Sequence, residues 1–143
     1  MDKGIRGSGG MKAALLLVLA TLALPAHAAE PTGTLTLACE GTTRLRIDGS
    51  PWSPDEPSFM SLIVNFTTQT VTALRYGHLS YDDEFPVAIT GVNDLIVMFG
   101  GSNDGSDNPT TITGTIYRMT GDVYVTWKGG AVTRTYSLKC RPT

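Results

Sequence analysis

The feature that most constrains this chain is a repeated alternation of apolar and polar residues over short segments. Residues 34–39 (TLTLAC) and 122–127 (DVYVTW) alternate in this way, so one side of each is apolar, as in a half-buried β-strand. Residues 59–66 (FMSLIVNF) and 95–99 (LIVMF) are largely apolar, which is typical of strands in a core. No helical period of useful length follows residue 28. The sequence therefore predicts an all-β fold.

Turn signals between these segments indicate the topology. Thr120-Gly121 and Gly129-Gly130 are hairpin signals, and most connections are short, so neighbouring strands should run antiparallel as a meander. Because exposed strand edges must be protected, about eight such strands form a small barrel or a two-layer sandwich. The predicted strands are residues 34–39, 59–66, 70–75, 85–90, 95–99, 111–118, 122–127 and 132–140, with a possible ninth at 44–47.

Three connections are predicted to be long. Residues 48–57 (DGSPWSPDEP) contain three prolines, which cannot donate to a β-ladder. Residues 76–84 (YGHLSYDDE) are polar and aromatic, and residues 100–109 (GGSNDGSDNP) are rich in turn-forming residues. Loops on a stiff sheet are where binding usually resides, so these segments are candidates for contacting a protein or small-molecule ligand.

The amino terminus predicts export. Residues 13–24 (AALLLVLATLAL) form an apolar run that follows Lys12 and precedes the small-x-small sequence AHA at 26–28. This combination is typical of a cleavable secretory signal peptide. The run is too short for a spanning helix, which needs about 20 apolar residues, although an uncleaved anchor is the alternative. We expect a signal-peptide helix within residues 1–28, cleavage after Ala28, and a mature protein in the periplasm or outside the cell.

The rest of the chain, residues 29–143, suffices for a single domain with one modest core. Without residues 1–28 the chain keeps eight basic and twelve acidic side chains. A mildly acidic domain lacks the electrostatic footprint of nucleic-acid or anionic-lipid binding. We therefore predict no nucleic-acid partner and no transmembrane segment in the mature chain.

The mature chain has two cysteines, Cys39 and Cys140. In an oxidising compartment such a pair predicts a disulfide, and two free buried thiols are the alternative. In a simple eight-strand barrel the first and last strands are antiparallel neighbours, so residues late in each strand lie at opposite ends of the barrel. Cys39 and Cys140 are both late in their predicted strands, and the bond therefore conflicts with this arrangement. Either the first strand continues past Cys39, through about Thr43, or residues 44–47 add a ninth strand that reverses the parity. We favour the first solution.

Several strand and turn segments carry a family resemblance. Residues 33–43 (GTLTLACEGTT), 63–71 (IVNFTTQTV), 89–94 (ITGVND), 120–124 (TGDVY) and 136–140 (YSLKC) together resemble a family of small exported bacterial β-rich proteins. The resemblance covers most of the mature chain and implies export, a short chain and a β-rich domain. The family has no assigned activity, ligand or catalytic residue, so the resemblance implies no site.

Catalytic side chains are scarce. His27 leaves with the signal peptide, so His78 is the one histidine of the mature chain, and a Ser-His-Asp or Cys-His site would need it. His78 is near Asp82, Asp83 and Glu84 in the sequence. This set is able to bind a divalent cation or to act as general acid and base. We favour the simpler interpretation, a solvated acidic loop.

Two arginines are in phase with the apolar side of predicted strands. Arg134 alternates with Val132 and Tyr136, and Arg118 follows Ile116. In a barrel mouth, two guanidinium groups could bind an anionic ligand through forked hydrogen bonds. The simpler interpretation is that both side chains lie near strand ends and reach water or an acidic partner.

The two tryptophans of the chain have different predicted positions. Trp52 stands between prolines, where an exposed tryptophan would indicate a contact surface and a buried one would cap an end of the core. Trp127 shares a face with Val123 and Val125 and is predicted to be in the core, with Tyr124 on the opposite face.

Three classes of function are compatible with these features. We favour an exported, non-catalytic β-domain that binds a partner or small ligand through its loops, with no cofactor and no metal. A structural, envelope-associated protein is the second class. An enzyme that uses His78 with the acidic residues 82–84 is the third and least favoured.

Overall fold

The computed structural model describes residues 31–75, 86–104 and 109–143, and these contain eight strands and no helix. No described segment forms a helix able to cross a membrane. The predicted signal peptide lies outside the described residues and stays a prediction. The strands are β1 (Thr34–Ile47), β2 (Glu56–Asn65), β3 (Thr70–Arg75), β4 (Val87–Val92), β5 (Ile96–Asn103), β6 (Thr110–Tyr117), β7 (Asp122–Gly129) and β8 (Val132–Pro142).

The eight strands form a closed antiparallel barrel. Each strand pairs with the next, and β8 pairs back with β1. The predicted all-β meander is confirmed, and of the two predicted architectures the chain adopts the barrel. The stagger of the barrel is found by stepping from each residue to its partner on the next strand. Starting at Arg44 of β1, this row passes through Thr135, Gly100 and Ala88 and returns to β1 at Thr34, ten residues before its start. This stagger tilts eight strands by about 40° from the barrel axis.

The alternating pattern directs one face of every strand into the barrel. Val123 and Val125 are buried and Trp127 packs against the core from the same face, whereas Tyr124 is 51% exposed. The predicted facing of β7 is confirmed. Burying a Val or Leu side chain stabilises a fold by about 1.5–3 kcal/mol. The buried cluster consists of Leu37, Cys39, Met60, Leu62, Val64, Val71, Val87, Val97, Phe99, Ile116, Val123, Val125, Tyr136, Leu138 and Cys140.

Strand β1 is long because it pairs with its two neighbours over different stretches. Residues 34–43 pair with β2, and residues 37–47 pair with β8. Cys39 and Cys140 are direct partners in the second ladder, with Cα atoms 4.0 Å apart, and form a disulfide. The first strand therefore continues past Cys39, which resolves the parity conflict. The two alternative predictions, a ninth strand at 44–47 and a pair of free thiols, are therefore wrong.

Two predicted loops are shorter than the sequence indicates. Strand β2 begins at Glu56, so Pro57 lies in the ladder opposite Thr42, because a proline is tolerated near the first residue of a strand. Strand β5 continues through Gly100 to Asn103, since β6 pairs with it along this stretch. In both cases a partner strand holds residues whose own preference is for a turn.

The two ends of the barrel differ. The connections 48–55, 76–86 and 104–109 leave from the end at which β1 finishes, which we call the loop end. The opposite end, the turn end, has connections of at most four residues. There, the side-chain carbonyls of Asn65 and Asn93 each accept two backbone N–H groups of their own turn, as short polar side chains commonly do.

One glycine is required by close packing inside the barrel. Gly114 of β6 is the partner of Phe99 on β5, and the aromatic ring of Phe99 occupies the space where a Cβ of residue 114 would lie. Interiors packed at this density respond to one added methyl group.

We expect Gly114→Ala to lower the free energy of unfolding by about 1–3 kcal/mol, because the methyl group displaces the Phe99 ring. Gly101→Ala is the matched control, since its Cβ would meet Val87 at an ordinary 3.5 Å, and its effect should be below about 1 kcal/mol. Urea unfolding measures both. Equal effects of the two substitutions would contradict the packing argument.

The disulfide should be a large contributor to stability. It closes a sequence separation of 101 residues, for which the chain-entropy model gives somewhat more than about 4 kcal/mol. The double variant Cys39→Ala/Cys140→Ala should lose about 2–5 kcal/mol of unfolding free energy, measured by urea unfolding. The wild type in reducing agent is the control and should lose a similar amount. A loss below about 1 kcal/mol would show that the seam between β1 and β8 holds without the bond.

Candidate binding surface

The last residues of β1 extend beyond β2, and the following connection folds back onto them. The ladder with β2 ends at Thr43, so the edge of β1 beyond it needs other hydrogen-bond partners. Ser53 supplies them: its hydroxyl oxygen accepts the N–H of Leu45 at 2.9 Å, and its own N–H donates to the carbonyl of Leu45 at 2.8 Å. The connection therefore lies along the end of β1.

This fold-back places Trp52 against two outward-facing arginines. Arg44 and Arg46 flank Leu45 on β1, and their guanidinium carbons lie 4.8 and 4.9 Å from the centroid of the Trp52 ring. Trp52 is half-buried and is not among the residues that pack into the core cluster. Of the two predicted roles for Trp52, the structure therefore favours a surface position over a cap on the core.

The ring offsets the repulsion between the two cations. Both guanidinium carbons lie within 5 Å of one centroid, so they are at most about 10 Å apart. Like charges in water repel by about 0.4 kcal/mol at that distance and by about 0.8 kcal/mol at half of it. An exposed cation–π contact contributes about 0.5–1 kcal/mol. Two such contacts exceed the repulsion, so Trp52 holds Arg44 and Arg46 in place while both side chains stay exposed.

A third cation lies on the same outer face. Lys128 of β7 and Arg46 of β1 are both partners of Thr133 on β8, which puts their Cα atoms about 10 Å apart across two strand spacings. The next row pairs Arg44 with Thr135, and Thr135 with Thr126. We call these residues the basic face: Arg44, Arg46, Lys128, Thr126, Thr133 and Thr135.

None of these three cations has an ion-pair partner in the part of the chain that the structure describes. The ion pair found there lies toward the turn end, where Lys139 Nζ contacts Asp122 Oδ1 at 2.9 Å. The pKa of Asp122 is lowered because the Thr120 hydroxyl, and then Lys139, hydrogen-bonds its carboxylate. Both partners are solvent-exposed to a considerable degree, so this pair adds little stability.

Two open grooves lie beside the basic face. The first, of about 450 Å³, runs over β1, β8 and β7 and is lined by Thr42, Arg44, Asp55, Tyr124, Thr126, Thr135 and Ser137, among others. The second, of about 640 Å³, lies over β5, β6 and β7 and is lined by threonines and Met98. Tyr124 and Thr126 border both grooves. The two concavities therefore flank one exposed tyrosine on the outer wall.

The predicted acid–base and metal candidates cannot be compared with this surface. His78, Asp82, Asp83 and Glu84 lie in the connection 76–86, outside the described residues. Within the described ranges, no three His, Cys, Asp or Glu side chains are grouped to hold a metal ion. The role of these four residues stays a prediction.

The two predicted ligand-binding arginines lie at opposite ends of the barrel. Arg118 follows β6 at the turn end, is exposed, and donates from Nη1 to the carbonyl of Asn93 at 2.8 Å. Arg134 is the third residue of β8, at the loop end, half-buried between its partners Leu45 and Trp127. The structure therefore does not bring the two guanidinium groups together into one site.

Sequence reasoning missed Arg44, Arg46 and Lys128, although part of the signal was present. The alternation RLRI at 44–47 already puts two arginines on one side of a strand. The position of Trp52 over them depends on the Ser53 fold-back, which no local pattern shows. Lys128 joins them only through the pairing of β7, β8 and β1.

Comparisons with known proteins identify no relative of this chain. A scan against protein-family models and searches of curated proteins and of solved structures found no match. The resemblance to small exported β-rich proteins stays a prediction.

We expect a measurable coupling between Arg44 and Trp52. Arg44→Met and Trp52→Leu, singly and together, should give a coupling energy of about 0.5–1 kcal/mol in urea unfolding, because the cation–π contact exists only when both residues are present. The control cycle combines Trp52→Leu with Arg141→Met, at the turn end of β8, and should give a value near zero. A coupling no larger than in the control cycle would mean that the stacking contributes no energy.

Proposed function

We propose that the protein is an exported, non-catalytic binding domain that engages its partner with the loop end of the barrel and the adjoining outer wall. The observation that carries this proposal is the asymmetry of the two ends. The three long connections leave from one end, whereas the turn end has only short turns. A rigid barrel that concentrates its long connections on one side is a common design for binding.

The filled interior supports an external site. Phe99 lies over Gly114, and Trp127 lies over Gly129, inside the barrel, so aromatic rings occupy space that a lumenal ligand would need. The two grooves beside the basic face lie instead on the outer wall. The Trp52 cluster adds an aromatic and arginine-rich surface, and these residue types are enriched where proteins bind partners.

Export and the absence of catalysis rest on the sequence and on the disulfide. A bond between Cys39 and Cys140 is typical of an oxidising compartment, which agrees with the predicted signal peptide. A single histidine in the mature chain leaves few routes to acid–base or nucleophilic catalysis.

Site-specific photocrosslinking in exporting cells tests the proposal. A photoreactive amino acid at Ser50, in the connection 48–55, should give defined adducts, because this exposed position lies at the loop end. The same amino acid at Asp94, an exposed position at the turn end, is the matched control and should give none. Equal adducts at both positions, or adducts at Asp94 alone, would contradict the proposal.

A further inference from the structure

We propose that the basic face binds an acidic polysaccharide, a polymer that carries both hydroxyl groups and carboxylate, sulfate or phosphate groups. This inference rests on the proposed binding function and assigns it a ligand class. The first observation is charge: Arg44, Arg46 and Lys128 are exposed, and none makes an ion pair with a described residue. They therefore offer their charge to an external anion.

Three cations stand out on a chain whose net charge is −2. Asp55 lines the same groove as Arg44, yet no ion pair joins the two among the described side chains. Glu40, further along the outer side of β1, lies in the row of Lys139 and Asp122. The cations are thus grouped toward the loop end, separated from the ion pair near the turn end.

The second observation is the chemistry between the cations. Thr133 lies between Arg46 and Lys128, and Thr135 lies between Arg44 and Thr126. Hydroxyl groups both donate and accept hydrogen bonds, which suits sugar hydroxyls. A ligand with anions alone would leave this hydroxyl row unused, and a neutral sugar would leave the guanidinium groups unused. An acidic polysaccharide matches both.

The third observation is shape. The groove beside Arg44 is open and shares Tyr124 and Thr126 with the second groove. An enclosed pocket suits a small molecule, whereas an open channel along the wall accommodates a chain that enters and leaves. Tyr124, at 51% exposure, presents a ring along this path, with Tyr117 edge-on to it at 5.9 Å between centroids.

Trp52 prepares the two arginines for this ligand. A free arginine loses rotamer entropy when it binds an anion, and a side chain already held in place loses less. The contacts of 4.8 and 4.9 Å between the guanidinium carbons and the Trp52 ring hold both side chains before the ligand arrives, while both residues stay exposed. Trp52 is therefore a positioning residue for the arginines.

A nucleic acid is the competing polyanion, and the described surface favours it less. Nucleic-acid binding requires many phosphate contacts and is strongest on basic domains. Here only three cations are grouped among the described residues, on a chain whose net charge is −2, which is few for the run of phosphate contacts that a nucleic acid needs.

Biolayer interferometry on the full mature protein tests the proposal with defined probes. These are polygalacturonate for carboxylate, dextran sulfate for sulfate, a phosphorylated dextran for phosphate, neutral dextran, and single-stranded oligo(dT). We expect binding to at least one anionic polysaccharide and none to neutral dextran. Binding should weaken about tenfold or more between ~0.01 and ~0.1 M salt, as the Debye length falls from about 30 to about 10 Å. The polysaccharide that binds most tightly shows whether the basic face prefers carboxylate, sulfate or phosphate groups.

Matched variants locate the binding. Arg44→Gln/Arg46→Gln should weaken binding by about tenfold, and Lys128→Gln by about threefold. Arg141→Gln removes one charge from the outer side of β8 at the turn end and should change binding less than twofold. Circular dichroism checks that each variant is folded. If these variants do not fold, Arg44→Lys/Arg46→Lys, which keeps the charge and removes the planar fork, should still bind with weakened affinity.

Three results would overturn the proposal: no anionic polysaccharide binds at low salt, the glutamine variants bind as tightly as Arg141→Gln, or oligo(dT) binds as tightly as the polysaccharides. The crosslinking experiment distinguishes a failure of the proposed ligand class from a failure of the proposed binding function. Adducts at Ser50 without polysaccharide binding would overturn the ligand class and keep the binding domain. Adducts at Asp94 alone would overturn the proposed function, whatever the basic face binds.

Discussion

The closure of β8 onto β1 is the constraint on which the rest of the structure depends. A sheet with a stagger of ten residues closes only if its first strand is long enough to pair with β2 and β8 at offset positions. Strand β1 meets this requirement with fourteen residues, and the Cys39–Cys140 disulfide lies inside the shared ladder. Gly41 serves the same closure, since a Cβ at this position would collide with the backbone of Ser137. Closure removes both free edges of the sheet and with them the hazard of edge-to-edge pairing.

The same offset creates the candidate binding surface. Because β1 is shared between two ladders, residues 44–47 pair with β8 and have no partner on β2. The connection 48–55 satisfies this edge through Ser53, and the fold-back brings Trp52 over Arg44 and Arg46. The offset between the two ladders of β1 therefore both closes the barrel and places Trp52 against the arginines. A shorter first strand would remove the overhang and the cluster together.

The part of this architecture that local signals determine could be predicted from the sequence. Period-two alternation indicated the strands and the inward face of β7, and the cysteine pair left two solutions, of which the favoured one, a first strand that continues past Cys39, is confirmed. The choice of barrel over sandwich could not be predicted, because the stagger depends on the register between strands distant in sequence. For the same reason the basic face was missed: Lys128 and Arg46 are neighbours only through Thr133. The two arginines predicted to share a site, Arg118 and Arg134, lie at opposite ends of the barrel. The alternation within one strand does not show at which end of the barrel a residue lies.

The energetics of the basic face agree with the proposed binding role, because its charges add little to stability. Exposed ion pairs add at most about 1 kcal/mol, and the described part of the chain forms one at the turn end, between Lys139 and Asp122. At the loop end, the two contacts of Arg44 and Arg46 with Trp52 outweigh the repulsion between the two cations by only about 1 kcal/mol. Two uncharged residues on β1 would avoid the repulsion and leave the fold-back at Ser53 intact. A surface that holds like charges close together for so small a gain in folding is the kind of surface on which stability is exchanged for function, and here the charge that is held is positive, exposed and bordered by hydroxyl groups.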